Sequence, residues 1–348
     1  MKLVKNILVI QTAFLGDVIL TLPLIQVLKK FFANSEVHML TVPTAAGLLR
    51  NHPCIDRTIV FDKRGKDASM GGLLRLAQVI RSAQYDIAFV PHRSLRSALL
   101  AWLARVPIRI GFKNGVARYL YSYVVPYDGE LHEIERNLSL LSALGVDWES
   151  KELPNLYPSE DDRRQVDRVL FELEIVSPSN LIVVAPGTVW NTKRWMPERF
   201  ADLSKLLAQE QFEVLLIGGE QDVGLCRSIA QMSNSTHVYS MAGRLTLLQS
   251  AELIRRCRVA VSNDSASMHL AVAVRTPVVA IFGATVPEFG FYPYGIHDVV
   301  VETRGLPCRP CSRHGGDECP IKTFECMTNI SQLRVFTKIQ EVLKQVQV

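Results

Sequence analysis

Three polar loops and one cluster of thiols hold most of the side chains of this 348-residue chain that could carry chemistry. The run Gln11-Thr12-Ala13-Phe14-Leu15-Gly16-Asp17 supplies a glycine for a tight turn and a carboxylate. Asp17 can cap a following helix, or it can take a proton from an alcohol being activated. The run from Ala185 to Trp195 joins Gly187, which permits close backbone approach, to the hydroxyls of Thr188 and Thr192 and the cation of Lys193. Ahead of a helix N-terminus these are the parts of a phosphate site, although a surface loop with incidental basic residues has the same composition. The run from Ser262 to His269 offers Asp264 or Ser265 as a helix cap, and its first backbone N–H groups suit a second part of a diphosphate. Asp222, after Gly218-Gly219-Glu220-Gln221, is suited to ribose hydroxyls or to capping the next helix. Two strand-to-helix anion sites in one half of a chain point to a nucleoside diphosphate more strongly than either does alone.

Cys308, Cys311, Cys319 and Cys326 form a C-x2-C-x7-C-x6-C run, enough sulfur for tetrahedral ligation of a structural zinc or iron. The second pair is wider than in a C-x-x-C ribbon, so free thiols compete with metal, and a reducing compartment disfavours disulfides. Basic residues gather after two other apolar runs, as Lys63, Arg64 and Lys66 and as Arg93 and Arg96 beside His92. Both clusters could meet an anionic partner, while for any single one of these cations a solvated surface is the commoner setting.

The elements that must position these groups are short apolar runs alternating with amphipathic stretches. Strands are expected at 7–10, 36–42, 58–61 and 87–90, with helices at 18–32, 45–51 and 73–82, and Pro23 must kink the first helix or sit in its early turns. The alternation restarts with a charged helix at 159–173. Strands follow at 181–185, 213–217, 259–262 and 278–282, with helices at 198–210, 223–232, 247–257 and 267–274. This predicts an α/β chain with two parallel, doubly wound sheets, one in residues 1–170 and one in 171–330, with the boundary inside 155–180. The last segment, 331–348, carries an amphipathic helix that packs back on either half. In such sheets function lies in loops that follow strands.

Composition narrows the function classes. Lys and Arg number 39 against 34 Asp and Glu, a formal charge of +5, and 48% of residues are hydrophobic, which excludes an intrinsically disordered chain. No apolar run reaches the ~18–20 residues of a membrane span, and Ile7–Ile10 is too short for a secretory core, so a cytoplasmic protein without transmembrane segments is expected. The modest, spread charge gives no reason to expect a nucleic-acid partner. No strand is followed by G-x-G-x-x-G or G-x-x-x-x-G-K-[ST], which weakens hydride-transfer and NTPase readings.

In order and spacing these blocks resemble glycosyltransferase family 9, the ADP-heptose:lipopolysaccharide heptosyltransferases, over nearly the whole chain. The matching pieces are T-A-F-L-G-D-V-I-L-T-L-P, then A-P-G-T with K-R-W-x-x-E-R-F, then G-G-E-x-D, then S-N-D-S-A-S-M-H followed by T-P-V-V-A-I-F-G-A-T. The resemblance implies two Rossmann-like domains facing a cleft, the GT-B arrangement, with acceptor on the N-terminal domain and nucleotide sugar on the C-terminal one. It implies inverting transfer of heptose from ADP-L-glycero-D-manno-heptose to the lipopolysaccharide inner core at the cytoplasmic membrane surface, with the second heptose as the expected addition and no catalytic cofactor. Carried over residue by residue, Asp17 is the catalytic base and Lys193 binds the diphosphate. Thr188, Asp264 and Ser265 are donor-site positions, and Asp222 is the ribose candidate. Ala266 stands where family members commonly have glycine, which is compatible with a backbone at negative φ. Lys63, Arg64, Arg93 and Arg96 become acceptor-site candidates, because the inner core carries carboxylates and phosphates. A heptosyltransferase acting on a protein and a non-catalytic nucleotide-sugar binding module are the alternatives.

Overall fold

A computed structural model describes residues 4–114, 116–148, 151–175 and 178–346. The chain divides into two units, residues 1–157 and 158–348. The first contains β1 (Asn6–Ile10), α1 (Leu15–Phe31), β2 (Glu36–Thr41), α2 (Pro43–Ala46), β3 (Arg57–Val60), α3 (Met70–Ser82) and β4 (Ile87–Val90). It continues through α4 (Leu95–Leu103), β5 (Ile108–Phe112), β6 (Tyr123–Val125) and α5 (Glu133–Ser139). The second starts with α6 (Glu160–Glu172), β7 (Leu181–Ala185), α7 (Pro197–Gln209), β8 (Glu213–Leu216), α8 (Val223–Ser233) and β9 (Val238–Ser240). It ends with α9 (Leu247–Arg255), β10 (Val259–Asn263), α10 (Ala266–Ala273), β11 (Val278–Phe282), β12 (Val299–Glu302), α11 (Glu325–Thr328) and α12 (Gln332–Val346).

Each unit holds one six-stranded sheet, ordered β3-β2-β1-β4-β5-β6 and β12-β11-β10-β7-β8-β9, and every pairing is parallel. Read from its own first strand, each sheet has the doubly wound order 3-2-1-4-5-6. The winding reverses between β1 and β4 in the first sheet and between β7 and β10 in the second. The loops leaving those four strands flank the crevice in which such sheets bind ligands.

Burial on both faces explains why the central strands are continuous apolar runs. Leu181–Ala185 and Val278–Phe282 are buried throughout. Helix α1 runs through Pro23 and is buried from Val18 to Leu28, so its packing outweighs the hydrogen bond that proline cannot make. The charged helix α6 belongs to the second unit: Arg256 bridges Glu252 of α9 and Asp167 of α6, which places the division ahead of this helix rather than at 170. Helix α12 also belongs there, with Val335, Ile339, Val342 and Leu343 in the core under β10 to β12. Among the described residues no helix is long and apolar enough to cross a membrane.

Candidate functional sites

In the second unit, the reversal point gathers residues from three strand ends. Lys193 closes a 3-10 turn, Asn191–Lys193, after β7, and its Nζ lies 2.6 Å from Oδ2 of Asp264, which follows β10. Both side chains are nearly buried, at 14% and 9% exposure. Thr285, beyond β11, donates its hydroxyl to the same oxygen at 2.6 Å. Asn263 ties the two loops together. Its Nδ2 donates to the carbonyl of Pro186 at 2.8 Å, and its Oδ1 accepts from the Trp195 backbone at 3.1 Å. Trp195 is fully buried, and its indole N–H donates to the Ile330 carbonyl, which anchors the loop carrying Lys193. His269, also buried, is held neutral: burial, aided by the Lys193 charge, pushes it down to about 3.

Ser265 precedes α10 and contacts the Ser262 hydroxyl at 3.2 Å. Ala266 is the first residue of α10 and is not among the residues of positive φ, so its methyl group needs no strained backbone there. The first N–H groups of α10 therefore lie beside Lys193 and Asp264, a helix N-terminus and a cation at one place. Thr188 is half-buried, and its carbonyl accepts from Arg194. Asp222 is buried and turned inward. Its Oδ2 accepts from the Gly219 N–H at 3.0 Å, and a Cβ on Gly187 would come within 2.5 Å of its carboxyl carbon. Gly187 is thus required by close approach, and Asp222 works as the brace between the loops after β7 and β8. An exposed carboxylate in the same loop is Glu220, which opens the 3-10 turn Glu220–Asp222 after β8.

The segment with the thiols lies over the Lys193 loop. Thr192 and Gly316 exchange two hydrogen bonds, at 2.9 and 2.8 Å. Gly315, at φ +90°, passes so near the Lys193 chain that a Cβ would stand 2.9 Å from its carbons. Arg309 holds this segment in place. Its guanidinium, 5% exposed, donates to the carbonyls of Gly283, Thr285 and Thr303 and pairs with the equally buried Glu302 at 2.7 Å. The zinc or iron ligation expected of Cys308, Cys311, Cys319 and Cys326 is not assembled: among the described residues, no three His, Cys, Asp or Glu side chains are grouped so as to hold a metal ion. All four are free thiols. Cys326 is buried and pushed up to about 11 by burial and the neighbouring thiols. For Cys319, burial is outweighed by N–H groups of residues 321–324, and its thiol falls below the usual range.

In the first unit, Asp17 lies in the first turn of α1, half-exposed, and accepts from the Phe14 N–H at 3.1 Å. Thr12, between β1 and α1, contacts His92 Nδ1 at 3.0 Å and Ser97 Oγ at 2.9 Å, so the loops after β1 and β4 meet at the reversal point. Lys63 reaches in from the loop after β3 and donates to the Thr12 carbonyl at 2.5 Å. Burial pushes His92 down to about 4, helped by Lys63 and Arg93. Glu133, on α5, is pushed up to about 7 by burial and by the Asp17 charge, against the pull of Arg136 and Arg93. Arg93 stacks over Tyr127 at 4.1 Å, and Arg64 is exposed. Arg96 differs from the expectation of an acceptor-facing cation. Its guanidinium donates to the carbonyls of Lys63, Asp67 and Ala68 and lies 5.2 Å from the Phe61 ring, so it orders the loop that presents Lys63. Glu133, Asn263, Thr285 and Arg309 carry no local sequence signal for these roles, because the Asp17 charge and the Pro186, Asp264 and Gly283 groups they meet lie far along the chain.

Comparison with known proteins bears on both sites. Residues 73–321 match glycosyltransferase family 9 (heptosyltransferase). The chain is 29% identical over 293 residues to lipopolysaccharide heptosyltransferase 2 of Salmonella typhimurium, covering 82% of this chain and 84% of that protein. Among solved structures, it is similar to a family 9 glycosyltransferase from Veillonella parvula, with a TM-score of 0.86 and 25% identity over 99% of both chains. It is likewise similar to ADP-heptose lipopolysaccharide heptosyltransferase II of Escherichia coli, with a TM-score of 0.81 and 25% identity over 99% of this chain and 100% of that one. The paired doubly wound sheets are those of the GT-B fold.

Proposed function

The chain belongs to glycosyltransferase family 9, the heptosyltransferases, and from that premise we propose that it moves L-glycero-D-manno-heptose from ADP-heptose to the lipopolysaccharide inner core, as the second heptose. The observation that carries the reading is the convergence of Lys193, Asp264, Thr285 and the α10 N-terminus at the reversal point of the second sheet. A diphosphate needs a cation, hydroxyl donors and oriented N–H groups at one place, and this is where they coincide.

The transfer proceeds by inversion at the anomeric carbon. Asp17 takes the proton of the acceptor hydroxyl as its oxygen bonds to that carbon on the face opposite the leaving group. The bond from the carbon to the diphosphate oxygen breaks, and ADP departs with the electron pair. Lys193 and the first N–H groups of α10 offset the charge that grows on the diphosphate, so the reading requires no cofactor. Glu220, exposed in the turn after the unit's second strand, accepts from ribose hydroxyls, while Asp222 holds its loop. Thr188 and Ser265 add hydroxyl donors. On the acceptor side, Lys63, Arg64 and Arg93 meet the anionic groups of the inner core, and Arg96 keeps Lys63 in place. The four cysteines take no part in this chemistry, and a metal on them would be structural. The reading places the enzyme in the cytoplasm, working at the inner face of the cytoplasmic membrane.

The names of the curated relatives favour a lipid-linked core over a polypeptide acceptor. Incubation with a panel of nucleotide sugars and truncated inner-core acceptors, read by product mass, tests the proposal. One heptose added from ADP-heptose to a core already bearing its first heptose is the expected product. Transfer to proteins alone, or ADP-heptose binding without turnover on any acceptor, overturns it.

A further inference from the structure

Helix α4 is apolar on every side, with Arg96 as its single charge, yet it is not enclosed. Ser97, Ala98, Leu100 and Ala101 face the core, while Leu95 and Trp102 are 52% and 50% exposed. Leu99, half-buried between them, completes an i, i+4, i+7 stripe. A helix with no polar face is normally covered, and among the described residues Leu95 and Trp102 stay half-exposed on this side.

The surroundings of the stripe are basic. Arg81, Trp102, Leu103, Arg105 and Arg109 line one open depression of about 540 Å³ between the C-terminal ends of α3 and α4. The crossover from β5 to β6 packs against α4 and adds Val116 and Tyr119, 81% and 77% exposed, with Arg118 over the Tyr119 ring. From residue 68 through 127 the chain carries eight Lys or Arg and a single carboxylate, Asp86. That carboxylate is engaged by the backbone of Lys5 and Asn6. Residues 1–157 hold 19 Lys or Arg against 13 Asp or Glu, whereas residues 158–348 hold 20 against 21, so the positive charge of the protein belongs to the unit that bears this face.

We propose that the outer face of α4, with Arg81, Arg105 and the adjoining crossover, docks on an anionic lipid bilayer. Trp102 and Tyr119 have the apolar body and polar tip that suit the headgroup level, and arginines around them meet lipid phosphates. A second copy of the chain is the poorer occupant, because a symmetric contact would bring the same cations face to face. The proposal deepens the membrane-surface part of the function proposed above, and its test needs no transfer chemistry. Arg81, Trp102 and Arg105 lie at helix ends that precede strands, away from the loops that follow them, so substituting them spares the candidate sites.

The test is partition of the full chain, by co-sedimentation, into vesicles of phosphatidylglycerol with phosphatidylethanolamine and into phosphatidylcholine vesicles, at low and high salt. The wild-type chain is expected to bind the anionic vesicles in a salt-sensitive way and to leave the neutral ones. The double change Arg81→Glu with Arg105→Glu should lower partition by about tenfold or more, and Trp102→Ser severalfold, with melting temperatures and transfer to a soluble truncated acceptor retained. Equal partition of wild type and the double variant, or no partition into anionic vesicles, overturns the proposal. So does a dimer in solution that these substitutions dissociate without any vesicle binding. Vesicle binding by a chain that transfers no heptose would sink the proposed function and leave this surface standing.

Discussion

Lys193 and Asp264 meet at 2.6 Å at the reversal point of the second sheet, and Thr285 fixes the carboxylate with a 2.6 Å hydrogen bond to the same oxygen. The cation is therefore held where a diphosphate would arrive, by a group that is itself held. Such preorganisation spares the rearrangement that a mobile lysine would need. Removing the charge with Lys193→Met should weaken ADP binding by about 10- to 100-fold, the loss of a charge-assisted contact worth ~1.5–3 kcal/mol. Titration calorimetry with ADP measures it directly, and unchanged affinity would remove Lys193 from the donor site.

Asp17 belongs to the other unit, and its substitution should separate chemistry from donor binding. Asp17→Asn keeps the size of the side chain and the acceptor oxygen that meets the Phe14 N–H, so the start of α1 should survive. Loss of a general base costs about 10²–10⁴ in turnover. ADP affinity should stay within about twofold of wild type, since Lys193, Asp264 and Thr285 all belong to the second unit and Asp17 to the first. Turnover near the wild-type rate would make Asp17 a helix cap and nothing more.

The α/β class and the placement of most candidate residues just after strands were legible in the sequence, because the central parallel strands are buried apolar runs and the loops that follow them are polar. The strands β5, β6, β9 and β12 were not. Ile108–Phe112 carries Arg109, Tyr123–Val125 and Val238–Ser240 are three residues long, and Val299–Glu302 has three apolar residues before its glutamate, so each apolar run is broken or short. The site was legible as loops and not as contacts. That Asp264 leans on Thr285, that Arg309 carries Thr285, and that Gly315 lies on Lys193 depend on pairs separated by 21, 24 and 122 positions. Asp222 and Arg96 show the reverse: the sequence offers each as a ligand contact, and in the fold each bonds backbone groups of a loop.

Glu133 gives the first unit a measurable pH signature. Its folded value is pushed up to about 7 from an ordinary 4.5 by burial first and by Asp17 next. The folded chain thus holds a proton that the unfolded chain releases. Its stabilising contribution is complete below about pH 4.5 and is lost as the pH rises through about 7. Melting temperatures of Glu133→Gln, compared with wild type across that window, should lack this decline. In Asp17→Asn the decline should move to lower pH, because one of the two causes is gone. Parallel melting curves for all three chains would show that Glu133 keeps an ordinary carboxyl.

The four clustered thiols should differ in reactivity even though they share one segment. The N–H groups of residues 321–324 favour the thiolate of Cys319, which is half-buried, whereas burial raises Cys326 to about 11. Elsewhere, Cys226 is raised to about 12 and Cys257 higher still, both buried. The thiolate is the nucleophile, so alkylation of chelator-dialysed protein at neutral pH should mark Cys319 before Cys326, with Cys226 and Cys257 last. Peptide mass mapping over a time course reads the order. Modification of Cys257 as fast as Cys319 would mean that the apolar core, rather than the loop over Lys193, is what opens first.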